Sequence, residues 1–239
     1  MSSLLDTLLK TYGGLERWQE VTSISAHRVF GGGLWDLKQV PGIVDEGEIT
    51  VRVQEEHVEV RPFTGPDRRL TFTPDRVSVE SDAGEVVESL DDPVTSFAGH
   101  GVETPWTHLQ LGYFCGHAMW TYLTEPYVFT YPGVEVEEIG PWSEQGGTWQ
   151  RLRVRFPAGI ATMSREQVVY VDDDGLVRRR DYQVDVMGGS PAAHYLSGHR
   201  EVDGIVVPTS RRIFVRGEDG HPLPEPLLVS IELSDVTVA

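Results

Sequence analysis

Basic residues are scarce in this sequence. Lys10 and Lys38 are its only lysines, and Lys and Arg together number 20 against 37 Asp and Glu, a formal net charge of −17 over 239 residues. Nucleic acids and anionic membranes both recruit proteins through Lys and Arg, so this chain would meet either partner against a repulsive field. Neither nucleic-acid binding nor membrane insertion is expected. Cysteine is nearly absent too: Cys115 alone cannot close an intramolecular disulfide, so packing holds the fold and no oxidising compartment is required. The start offers no basic leader, and Asp6 and Lys10 interrupt what would be the apolar run of a signal peptide, so a cytoplasmic location is expected. The usual catalytic signatures are missing as well. There is no phosphate-binding loop, no dinucleotide fingerprint, no HExxH and no nucleophile elbow, and Gly31-Gly32-Gly33 runs into strand-like sequence where a phosphate cradle needs a helix. No cofactor is expected.

What is present is mostly period-two sequence. Ile49, Val51 and Val53 alternate with polar residues, as do Leu152, Val154 and Phe156, while Leu227, Val229, Ile231 and Leu233 alternate with an outward set of Leu228, Ser230, Glu232 and Ser234, each reading as a half-wet strand. Asp82-Ala83-Gly84, Asp173-Asp174-Gly175, Asp203-Gly204 and Asp219-Gly220 are hairpin turns, where glycine supplies a positive φ. Short loops without βαβ spacing predict a mainly β, α+β fold: one domain over residues 1–239, with a single curved antiparallel sheet of about ten to twelve strands. The segments 33–41 and 62–69 read as loops. By strand parity much of the acidic charge falls on solvent-facing positions, Glu59, Glu80, Asp181, Asp185 and Glu232 among them.

Two helices interrupt this pattern. Leu4, Leu5, Leu8, Leu9 and Tyr12 form one apolar stripe that Ser2 or Ser3 can cap, ended by Gly13-Gly14. The second lies within the longest uncharged stretch, Thr104 to Thr124. That stretch is long enough to raise the question of a membrane span, but His108, Gln110, His117 and two glycines fit a buried helix of a soluble fold better. Thr104 as N-cap, Pro105 in the first turn and a stop at Glu125-Pro126 predict a helix over Pro105 to Tyr122. Apolar residues occupy all its faces, which predicts a plug on the open side of the sheet.

Candidate chemistry gathers on this plug. Tyr113 and His117 are four apart and share a face with Trp106, Leu109 and Trp120, so a proton could pass between imidazole and phenol; the same pattern also fits a core histidine bonded to a carbonyl. His108 lies toward another side, and Cys115 reads as inert packing. From the sheet, Tyr182 falls on an apolar parity, and either His194 or Tyr195 can face inward but not both. No histidine spacing indicates a metal site. Aromatic density from Trp106 to Trp149 is either core filling or the wall of an apolar cavity.

The leading helix, the run Tyr12-Gly13-Gly14-Leu15-Glu16-Arg17-Trp18 and the meander with its helical plug together resemble the bacterial lipoprotein-carrier and lipoprotein-sorting superfamily. That resemblance implies an open half-barrel with helices as a lid. It transfers no site residue, because ligand contacts there are apolar surface and not a fixed motif. Two functions are expected from these features. One is binding of a hydrophobic small molecule or acyl chain through Trp106, Leu109, Tyr113, His117, Trp120, Tyr122 and His194. The other is a cofactor-independent cyclase, isomerase or dehydratase in the same cavity, with His117 or His108 as acid–base and Tyr113 or Tyr182 as hydrogen-bond donor.

Overall fold

The computed structural model describes residues 3–144 and 146–239. Ser3 caps the first helix, α1 (Leu4–Thr11), in a reciprocal box with Asp6; the alternative cap, Ser2, lies outside the described residues. After Gly13, at φ 118°, α2 (Gly14–Glu20) carries Trp18 into the core, where it stacks on Tyr127 at 4.1 Å. From Ser23 the chain is strand.

Among the described residues thirteen strands form one sheet, one more than the upper end of the sequence reading. The first run is β1 (Ser23–Gly31), β2 (Glu46–Arg52), β3 (His57–Arg61), β4 (Arg68–Thr73), β5 (Arg76–Ser81) and β6 (Val86–Asp91). The second is β7 (Glu135–Glu144), β8 (Gly147–Arg155), β9 (Glu166–Val171), β10 (Val177–Val184), β11 (Ser190–Val202), β12 (Ile205–Arg216) and β13 (Pro222–Val238). Every neighbour pairs antiparallel, and all four Asp/Gly turns close hairpins as expected, with their glycines at φ between 76° and 83°. The order β6-β5-β4-β3-β2-β1-β13-β12-β11-β10-β9-β8-β7 has a simple logic. The chain meanders from β1 out to the edge β6, crosses to the opposite edge β7, and meanders back until β13 closes on β1. The crossing segment therefore has to traverse a face of the sheet, and it does so as α4 (His108–Thr124), against β2–β6.

α4 starts three residues later than predicted. Pro105 lies ahead of the cap, and Thr107 is the N-cap, its Oγ1 accepting from the Gln110 N–H at 3.2 Å while Gln110 Oε1 accepts from the Thr107 N–H at 2.9 Å. The helix runs on through Thr124, and all its residues from Gln110 are buried. Where α4 meets β4 and β5 its surface is glycine: a Cβ at Gly116 would fall 2.1 Å from the Phe72 ring, and one at Gly112 2.4 Å from Leu70. The two glycines thus let side chains of the sheet approach the helix backbone. Trp120 pins the next turn by donating Nε1–H to the carbonyls of Arg52 and Glu55. The segment read as a loop at 33–41 contains a short helix, α3 (Leu34–Leu37), which buries Leu34 and Trp35 and also follows directly on the triple glycine. Among the described residues, no helix is long and apolar enough to cross a membrane.

Candidate ligand-binding site

α4 has a tight side and a loose side. On the side away from β4 and β5, Phe114, Cys115, Ala118, Met119 and Tyr122 face a cleft whose far wall is Tyr182 and Val184 of β10, Ala192 of β11, Ile213 of β12 and Val229 and Ile231 of β13. Phe30, Leu34 and Trp35 close one flank, and Met163 and Met187 the other. The free space is about 40 Å³, room for a few waters and not for an acyl chain. Its lining is the informative part. Of the four methionines in the chain, the three after Met1 all line this one cleft. Methionine is unbranched and polarisable, and it lets an apolar wall re-pack around ligands of different shape.

The deep end of the cleft is polar. The phenols of Tyr122 and Tyr182 are hydrogen-bonded at 2.8 Å. Beside them His194 lies edge-on to the Tyr122 ring at 4.6 Å, and the Arg211 guanidinium lies 4.9 Å from the same ring. Arg211 Nη2 donates to the Tyr122 carbonyl at 2.8 Å. The helical donor for that carbonyl would come from residue 126, and Pro126 has no N–H, so Arg211 takes its place at the end of α4. Arg180 donates Nε–H to Gln167 Oε1 at 2.6 Å and Nη1–H to Glu125 at 3.4 Å. Arg180, Arg211, His194, Gln167 and Glu125 are all buried. Burial, with Arg211 and Arg180 alongside, holds His194 well below the ordinary histidine pKa, so it is neutral. Burial likewise pushes both phenols up.

Of the residues expected at the site, Tyr122 and Tyr182 line the cleft, and His194 packs on both rings. Trp106 packs tilted against Phe114 at 4.8 Å, one ring removed from the free space. Tyr113, His117 and Trp120 are not part of the lining: Tyr113 packs on Phe72 and Phe97, Trp120 is bonded to the β2–β3 turn, and Leu109 is partly buried against the core. His117 Nδ1 bonds the Tyr113 carbonyl at 2.8 Å, and burial lowers its pKa to about 4. His108, the first residue of α4, is exposed. The four side chains weighed for acid–base chemistry thus lie in three separate places. The sequence reading missed Phe30, Trp35 and the three methionines. Trp35 was hidden because its helix, at four residues, is too short to show a period. A second misplacement is Asp181, which parity put in solvent. It is buried on the other face of the sheet, bonded to Arg179 and Tyr170.

Scanned against protein-family models and curated proteins, the sequence matches none. Solved structures do share its fold. A DUF1329 family protein from Desulfovibrio piger aligns with a TM-score of 0.57 at 12% identity, covering 98% of this chain and 91% of its own. A LolA superfamily protein from Nitrosomonas europaea gives 0.56 at 9% identity, covering 100% and 94%. A Vibrio parahaemolyticus domain named for outer membrane lipoprotein sorting gives 0.50 at 8%, covering 93% and 89%. The chain therefore has the open half-barrel fold of the LolA and lipoprotein-sorting structures, as the resemblance implied, and at these identities the likeness concerns the fold.

Proposed function

We propose that the protein binds a hydrophobic small molecule or a single acyl chain between α4 and the strands β10–β13. The observation that carries this is the cleft wall itself: apolar on both sides and holding all three methionines beyond Met1, while the opposite side of α4 is locked by Gly112 and Gly116 against the sheet. Opening is assigned to the loose side. Re-packing of Met119, Met163 and Met187 lets about 40 Å³ grow to admit a chain without disturbing the contacts with β4 and β5. The fold likeness to a lipoprotein-sorting domain supports the same reading. The test is titration of the full chain with dodecanol by calorimetry, beside the variant Ala118→Phe, which fills the cleft from α4. Saturable binding that the variant weakens at least tenfold, with its melting temperature maintained, is the expected result. Absence of binding by the wild type overturns the proposal, as does equal binding by the filled variant.

A further inference from the structure

The interior of this acidic protein is positively charged. Inward-facing on their strands are Arg28 of β1, Arg180 of β10 and Arg211 of β12, all fully buried, and the one buried carboxylate described on that side is Glu125. Arg28 donates to the Val44 and Pro62 carbonyls and has no carboxylate partner among the described residues. Arg211 meets the Tyr122 carbonyl and, at 3.4 Å, His194 Nε2. A buried cation without a counter-charge is among the costliest groups a fold can hold.

These arginines share one relation to the cleft. Arg28 precedes Phe30, Arg180 precedes Tyr182 and Arg211 precedes Ile213 by two residues, and each second member lines the cleft. β1, β12 and β10 run in the same direction, because one antiparallel strand separates each from the next. All three guanidinium groups therefore start from the same side of the apolar band. Unspent hydrogen-bonding capacity there is mostly of one kind. Among the described residues, Arg28 Nε, Arg180 Nη2, Arg211 Nε and His194 Nδ1 are buried donors without a partner, against Glu125 Oε1 as acceptor, while His199 near Arg211 leaves both ring nitrogens unpartnered, one donor and one acceptor when neutral. With His194 neutral and its Nε2 turned to Arg211, Nδ1 carries the proton and is a donor. The Tyr122–Tyr182 pair also holds two O–H groups and spends one of them on its mutual bond.

Resting on the cleft-binding reading, the geometry points to an amphiphile with an acidic head, a carboxylate or phosphate monoester, whose head lies at the Tyr122–Tyr182 end against Arg211 and Arg180 and whose chain occupies the cleft. Capping the Tyr122 carbonyl uses one N–H of Arg211 and gives no account of the rest. A negatively charged oxygen group supplies both the missing counter-charge and the missing acceptors.

The experiment is calorimetric titration of the full chain at pH 8 with dodecanoate, dodecyl phosphate and dodecanol, repeated on Arg211→Met. Wild type is expected to bind at least one anion ten times or more tighter than dodecanol, and the better anion identifies the head. In Arg211→Met that advantage should fall below threefold. Should the variant not fold, the wild-type series decides alone. Dodecanol binding as tightly as both anions overturns the acidic head and leaves the apolar cleft standing, as does a folded variant that keeps the full preference. No binding by any of the three overturns the cleft reading and the head together.

Discussion

Arginine is buried on both faces of this sheet, and the two faces treat it differently. On the convex side Arg179 spends its donors fully: Nε and Nη2 on the two oxygens of Asp181 at 2.7 and 2.9 Å, Nη1 on Glu144 at 2.6 Å and on the Tyr195 phenol, and Nη2 also on the Gly220 carbonyl. Burial opposes its charge, yet its bonds to the Asp181 carboxylate raise its pKa above the ordinary guanidinium value. On the concave side burial lowers Arg28 and Arg211, because little there offsets it. A balanced network ties chain segments together; here it joins the bent end of β7, strand β10 and the β12–β13 turn. An unbalanced one stores a demand for an anion. The sharpest way to break this contrast is Arg179→Met, which among the described residues leaves Glu144 without a cation and Asp181 with only the Arg216 guanidinium at 3.6 Å. It should cost about 3–5 kcal/mol in urea unfolding, or roughly 10 °C in melting temperature. A loss under about 1 kcal/mol would mean that the convex network is no more structural than the interior one.

The interior should also resist any further positive charge. His117 sits among the rings of Tyr113 and Phe114, and its pKa falls to about 4. A depressed folded-state pKa means that the unfolded chain takes up the proton first, so this contribution is fully present above the unfolded value of about 6.5 and is lost as pH falls toward 4. Between pH 7 and 4.5, wild type should lose about 2 kcal/mol more stability than His117→Leu, measured as the difference between two urea-unfolding series. Parallel pH profiles would show that His117 is protonated in the folded protein and that the interior tolerates added charge.

Much of this architecture could be read from the residues. Alternation at Ile49, Val51 and Val53 and the Asp/Gly turns gave the meander, and the uncharged stretch gave the helix that crosses it. Parity, however, tells only which residues share a face, not whether another segment covers that face. Asp181 was placed in solvent for this reason: the Trp142 ring, Glu144 and the turn at Gly220 come from elsewhere in the chain to cover it. The same limit hid the site. Tyr122 was visible on the helix, but nothing in the local pattern says that β10–β13, and not β2–β5, stand back from α4. That asymmetry arises because Gly112 and Gly116 draw the helix to one side. Even the far wall needed the structure, since a register shift between Ile213 and Phe214 accompanies Leu228, read as outward, joining the lining.

The smallest expected effect is the most discriminating. Arg211→Met removes a buried cation of similar length and leaves no carboxylate within ion-pair distance unpartnered, as none of its contacts is one. It exposes the Tyr122 carbonyl to an apolar surrounding, at a cost of about 1–3 kcal/mol, and relieves the desolvation of an under-compensated guanidinium, a gain of similar size when an apolar residue replaces a buried charge. The two should nearly cancel, so that ligand-free Arg211→Met unfolds within about 1 kcal/mol of wild type, against the several lost by Arg179→Met. If the Arg211 variant instead lost as much as the Arg179 variant, the charge on the concave side would be a fixed part of the fold, satisfied within the protein, and would leave no vacancy for an anionic head to fill.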